Sequence, residues 1–241
     1  KQLDELNKER RRLQKATVDE VMRRVQRAER VPDFILAYDP SWHPGVVGLA
    51  AGRLVDRYHR PAAVIGMQGK GSARAPEGIN LVAALKTVGA DLASFGGHHV
   101  AAGLTLGPDA DLSRIRSGLN LAVREQLGPS GHRKVLYYDA EVAPWTANLD
   151  LARAFRHLAP FGMANPQPVL LARNIEVLQR NDYKSEFSRL AIAAPVQRGR
   201  IWMDGFRMGR MADRGKRIDV LYEVGVDRYK GDWLARRRVI A

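Results

Sequence analysis

Apolar residues recur through the first thirty positions at steps close to three and four. Leu3, Leu6, Leu13, Val18, Val21, Met22 and Val25 fall on one stripe, and the opposite face is dense in Arg and Lys. The pattern predicts a long amphipathic helix over residues 1–30 that needs a surface to pack on. No capping residue precedes it, so the chain reads as one that opens in mid-helix. From Phe34 strand and helix patterns alternate. Phe34–Tyr38, Pro61–Met67, Lys70–Ala75 and Ala102–Leu106 read as strands. Val46–Tyr58, Asn80–Val88 (capped by Asn80) and Asp109–Leu127 read as helices. Residues 31–128 are therefore expected to form an α/β domain with loops at Asp39–Gly48, Gly69–Gly78 and Phe95–Gly103.

Gly128-Pro-Ser-Gly-His132 is rich in breakers and reads as a linker. Beyond it, strand-like runs occur at Val135–Val142, Val169–Gln179, Arg189–Ala194, Arg200–Phe206, Ile218–Val226 and Trp233–Ile240, with a helix near Leu149–Leu158. That spacing suits an OB-like β-barrel over residues 133–241; a small sandwich would give a similar pattern.

Charge narrows the function. Lys and Arg number 39 against 26 acidic residues in 241, a formal net charge of +13, which favours a polyanionic partner and nucleic acid above all. No run of about 18 apolar residues occurs, and the first thirty residues are too charged for a signal-peptide core. With no cysteine, disulfides, thiolate nucleophiles and Cys-ligated zinc are excluded. A cytoplasmic location fits this composition.

Three loops carry candidate chemistry. In Gly69-Lys-Gly-Ser-Ala-Arg-Ala-Pro-Glu-Gly78, an extended backbone turns Ser72 and Arg74 to one side, with Lys70 on the same face, so a hydroxyl and a guanidinium fork can hold one phosphate. Ser41-Trp-His-Pro-Gly-Val-Val-Gly48 opens a helix, where free N–H groups favour an anion; His43 is either a ligand contact or a cap. In Ser94-Phe-Gly-Gly-His-His-Val-Ala-Ala-Gly-Leu104, Gly96 and Gly97 allow close approach to a ligand, and His98 and His99 can donate to phosphate oxygens. Through the second half, aromatic and basic residues interleave in the manner of single-strand binders. Tyr183, Phe187 and Tyr229 are the stacking candidates, and Arg198, Arg200 and Lys230 the phosphate contacts.

Taken in order, Trp42-His43-Pro44-Gly45-Val46-Val47-Gly48, Ser72-Ala73-Arg74 and Gly96-Gly97-His98-His99-Val100-Ala101-Ala102-Gly103 resemble the DHH-associated domain of the RecJ family of single-stranded-DNA exonucleases. Ala159-Pro-Phe-Gly-Met-Ala-Asn-Pro-Gln-Pro-Val169 is similar to the start of that family's OB-fold domain. The resemblance implies a connecting helix (1–30), a DHH-associated α/β domain (31–128) and a single-stranded-DNA-binding OB fold (133–241). It implies a 5′→3′ exonuclease of recombination and repair whose Mn2+ or Mg2+ ions are held by an Asp-His-His domain. No Asp-His-His triplet occurs here, so the chain is expected to be the C-terminal portion of such an enzyme, without metal ligands and inactive alone.

Carried over by position, Ser72 and Arg74 hold the 5′ phosphate, with Lys70 nearby. Gly96, Gly97 and His43 line the approach, and His98 or His99 donates to the scissile or adjacent phosphate, with His98 favoured. Single-stranded DNA is the implied partner, a single-strand-binding protein and a helicase are further ones, and the enzyme is expected to be a monomer. Two other readings stay open. A pure single-strand-binding module would leave the Ser72, Arg74 and Gly96–Gly103 constellation without a purpose. A DHH phosphodiesterase acting on short oligonucleotides would not need residues 133–241.

Overall fold

The structure is a computed structural model that describes residues 2–183, 187–194, 199–206, 213, 215–229 and 231–240. The chain divides into two compact units, residues 1–134 and 135–241.

In the first unit, α1 (Gln2–Gln26) leads into β1 (Ile35–Tyr38), α2 (Pro44–Tyr58), β2 (Ala62–Ile65), β3 (Lys70–Arg74), α3 (Leu81–Thr87), β4 (Leu92–His98), β5 (Ala101–Leu106) and α4 (Leu112–Leu127). The sheet runs in the order β1-β2-β3-β5-β4. Only β1 and β2 are parallel, joined by the α2 crossover; the other pairs are antiparallel. One face is covered by α3 and α4, where Leu81, Leu85, Ile115 and Leu119 pack on Phe34, Ile65, Ala73 and Leu104. The other face is covered by α1 and α2, where Val21, Val47, Ala50 and Leu54 pack on Ile35, Ala37, Ala62 and Val64, and α2 reaches on over β3 at Gly48. No helix among the described residues of this unit's core clusters covers that face of β4 and β5.

Two expectations change here. The helix ends at Gln26 rather than Arg30, and its apolar stripe is buried only toward its C-terminal end: Val21 and Val25 are inside, while Leu3 and Leu6 are 77% and 62% exposed. Phe95–Gly103 is no loop. Leu92–His98 is a strand that pairs with β5 through a turn of two residues, His99 and Val100. That turn is pinned from outside, since Leu81 N donates to His99 O at 2.8 Å and Ala75 N to Val100 O at 3.0 Å.

The second unit comprises β6 (Ala140–Glu141), α5 (Leu149–Arg156), β7 (Val169–Tyr183), β8 (Phe187–Ala193), β9 (Arg200–Phe206), β10 (Arg217–Tyr229) and β11 (Asp232–Val239). Strand order β7-β8-β9-β11-β10 closes back on β7, with β9 and β11 parallel: a five-stranded barrel of OB type. Its interior holds Leu170, Val177, Leu190, Ile192, Met203 and Tyr222, plugged by Ala147 and Ala152 from α5 and the residues before it. The Tyr222 hydroxyl donates to Val142 O at 2.7 Å. Arg237 donates from β11 to Pro144 O and Ala147 O, both at 2.7 Å. The run Val135–Val142 forms a strand only at Ala140–Glu141; Val135, Leu136, Tyr137 and Tyr138 are exposed and unpaired in any ladder.

Candidate nucleic-acid interface

Register decides which side chains share the open face of the first sheet. Ser72 on β3 lies opposite Gly103, and Gly103 opposite Gly96; Arg74 lies opposite Ala101, and Ala101 opposite His98. Directly opposed residues point to the same side. The intervening row, Ala73, Ala102 and Gly97, turns to the other face, where Ala73 and Ala102 enter the helix-covered core. Between Ser72 and Arg74 on one side and His98 on the other, the open face of β5 and β4 thus carries only Gly103, Gly96 and Ala101, a floor of small residues, with Thr105 and Ser94 in the next row.

The two glycines of the pair differ. At Gly97, φ is +148° and a Cβ would meet Ala101 O at 2.4 Å, so the hairpin itself demands glycine. At Gly96 a Cβ would meet nothing within 4 Å.

At the sheet's centre, Arg74 Nη1 donates to Ser72 Oγ and to Ala73 O, both at 2.8 Å. That arrangement fixes the guanidinium and leaves its other N–H groups and the Ser72 hydroxyl proton for an anion. Helix α2 makes room: a Cβ on Gly48 would lie 3.1 Å from Ser72 Oγ and 3.4 Å from Arg74 Nη2. Ser72, Arg74 and one flank of α2 border a groove of about 540 Å³. Lys70 shares their face but sits opposite Thr105, at the other end of the strand, and does not line the groove.

His43 is the cap of α2. Its Nδ1 accepts from Gly45 N at 3.0 Å, which assigns the remaining ring proton to Nε2, and Pro44 at the first helical position supplies a preset φ. The loop that presents this helix is braced by residues that sequence reasoning missed. Asp39 accepts from Ser41 Oγ at 2.6 Å, Ser41 N at 3.0 Å and Arg24 Nη2 at 2.7 Å, which holds its carboxyl down at about 2. Arg24 lies 4.9 Å over the ring of Trp42. His99 belongs to the hairpin turn, apart from the His98 row.

In the barrel, core residues set the phase. Met203 and Leu190 point inward, so Trp202 and Arg189 point out. Tyr183, Phe187 and Phe206 occupy one cross-strand row on β7, β8 and β9, with ring centroids 5.5 Å and 4.8 Å apart. Arg189 lies 5.2 Å over Trp202 and pairs with Asp204 at 3.0 Å; Arg236 lies 5.6 Å over Phe206. Arg189, Arg200, Trp202, Trp233, Leu234 and Arg236 border a groove of about 560 Å³. Trp202, Phe206 and Trp233 were not among the expected stacking residues, and the inward Met203 is the signal that would have found the first two. Arg198 and Lys230 lie outside the described residues, and Tyr229 is described only as a backbone position in β10.

Among the described residues no three His, Asp or Glu side chains come together as a metal site. No helix among the described residues is long and apolar enough to cross a membrane.

A model of the DHHA1 domain matches residues 32–125, and one of the RecJ OB domain matches residues 138–236. Over 98% of its length the chain is 30% identical to the single-stranded-DNA-specific exonuclease RecJ of Bacillus subtilis. The chain belongs to the RecJ family. It spans 30% of that relative's length. The corresponding RecJ of Escherichia coli is 27% identical over 96% of the chain, which covers 42% of it. The fold of this RecJ-family chain is also that of a crystal structure of RecJ in complex with Mn2+ from Thermus thermophilus, with a TM-score of 0.80 at 23% identity, over the whole chain and 35% of the solved one.

Proposed function

We propose that the chain is the end-binding and strand-binding part of a 5′→3′ exonuclease that degrades single-stranded DNA in recombination and repair. The observation that carries this reading is the mutual fixing of Ser72 and Arg74 in a groove that Gly48 keeps clear, on the same sheet face as the bare floor of Gly103 and Gly96. A phosphate at Ser72 and Arg74 anchors the 5′ end. The strand then crosses the floor, where missing side chains let its backbone lie close to the sheet, and His98 donates to a phosphate oxygen at the far border. Anchoring a terminal phosphate measures the cut from the end and converts binding energy into alignment. The exposed rings and arginines of the barrel take the strand's bases and phosphates further along.

The curated relatives of similar sequence are named as single-stranded-DNA-specific exonucleases, and solved relatives carry Mg2+ or Mn2+. In this reading the metal, manganese or magnesium, is held by residues other than those described here. The enzyme works in the cytoplasm as a monomer, alongside a single-strand-binding protein and a helicase.

The test is a metal-free titration with a short single-stranded oligonucleotide labelled at its 3′ end, comparing 5′-phosphate with 5′-hydroxyl at fixed salt. Tighter binding of the phosphorylated end is expected. Equal binding would reject Ser72 and Arg74 as an end-recognition site.

A further inference from the structure

The groove beside Ser72 and Arg74 is larger than one phosphate needs. It follows helix α2, where Gly45, Gly48, Leu49, Gly52, Arg53 and Asp56 line it at helical spacing. From Gly45 to Asp56 such a stripe extends about 16 Å at the rise of an α-helix. Ser72 and Arg74 stand against Gly48, about one turn from its N-terminal end. Toward the helix C-terminus the space stays open, since a Cβ on Gly52 would meet nothing within 4 Å.

Just past Gly52 stands a second cation. The Arg53 guanidinium lies 4.0 Å from Asp56, the outer limit of an ion pair, and its side chain is 37% exposed. Arg53 lines the same groove, five residues along α2 from Gly48. Its five N–H donors are not consumed by so loose a pair.

A phosphate held by Ser72 and Arg74 as the strand's end leaves no nucleotide to occupy the groove beyond it, because the strand departs across the glycine floor. Further phosphates attached to that end are what the space and the cation suit. Resting on the end-phosphate reading above, we propose that this half of the groove binds the β-phosphate of a 5′-diphosphate end through Arg53. The Asp56 carboxylate, one turn further on, repels a third phosphate. The ligand class is therefore nucleic-acid strands whose 5′ terminus carries two phosphates.

The experiment uses the 241-residue chain and one short 3′-labelled oligonucleotide with 5′-hydroxyl, monophosphate, diphosphate or triphosphate ends, titrated without metal at fixed low salt. Expected is a several-fold gain from hydroxyl to monophosphate, a second of similar size to diphosphate, and none to triphosphate. Arg53→Gln should erase the second step and keep the first. Asp56→Asn should add a gain for the triphosphate end. If the monophosphate step stands but diphosphate adds nothing, or if Arg53→Gln keeps the second step, this proposal falls and the end-phosphate reading survives. If the first step is missing as well, both fall. A triphosphate gain in the unaltered chain would overturn the limit assigned to Asp56.

Discussion

Arg74 and His98 occupy one cross-strand row, with Ala101 between them. The arginine and the exposed histidine are thus separated by two inter-strand spacings, roughly 10 Å, across a surface whose side chains are absent or a single methyl. That span makes the two residues separable by experiment.

Arg74→Ala should abolish the preference for a 5′ phosphate while lowering affinity for hydroxyl-ended strands much less. The ratio of dissociation constants for the two ends measures this. Arg74→Lys should recover only part of the preference, because an ammonium cannot both donate to Ser72 and present a fork.

Gly48→Ala separates recognition from stability. Alanine in a helix interior is favoured over glycine by about 1 kcal/mol, yet its Cβ would press on Ser72 Oγ at 3.1 Å. The hydroxyl can rotate away only by giving up its bond with Arg74. Thermal unfolding should show Tm unchanged or raised, and end preference should drop several-fold; an unaltered preference would contradict the role given to this glycine.

Gly96 and Gly97 should respond oppositely to alanine. Gly97→Ala forces a side chain into φ +148° against Ala101 O and should destabilise the unit by about 1–3 kcal/mol, read by urea unfolding. Gly96→Ala meets open space, so the fold should tolerate it. Strand binding should weaken all the same, because the methyl rises into the floor.

Asp91 contributes to the acid stability of the first unit, as Asp39 does. Its carboxylate accepts from Arg114 Nε at 2.8 Å and from Asp111 N at 3.0 Å, with Arg114 the larger cause of a pKa held down at about 2. A carboxyl depressed on folding stabilises the fold fully above its unfolded value, 3.8, and loses that contribution as pH falls toward 2. Denaturant midpoints should therefore decline below about pH 4, and Asp91→Asn should flatten that decline while lowering stability at neutral pH.

Phe187→Ala should cost single-strand affinity about 1–3 kcal/mol, the worth of one stacked base. The loss should be the same for phosphate and hydroxyl ends, since the ring belongs to the barrel. A loss confined to phosphorylated ends would contradict the division of labour between the two units.

How much of this was legible beforehand depends on which interactions define each part. Strand β2 and helix α2 could be read from apolar spacing alone, because their burial follows local periodicity. Strand β4 could not: Gly96-Gly97-His98 has the composition of a turn, and it is extended only because β5 pairs with it. Val135–Tyr138 erred the other way, with apolar residues that find no ladder partner. At the site, Ser72 and Arg74 emerge from the two-residue repeat of a strand. Gly48, Gly52 and Arg53 become visible only when α2 is laid against β3. The exposure of Trp202 and Phe206 follows only once Met203 is known to face inward.

Arg237 sets a practical limit on dissecting the protein. Its guanidinium, pushed down in pKa by burial, is satisfied by carbonyls of Pro144 and Ala147, well upstream of the first long barrel strand at Val169. A barrel excised at Val169 would keep the cation and discard its acceptors, the costliest way to leave a buried charge. Anyone isolating the strand-binding unit for crystallisation or ligand screening should cut upstream of Asp139, whose backbone and carboxylate also bond Val169.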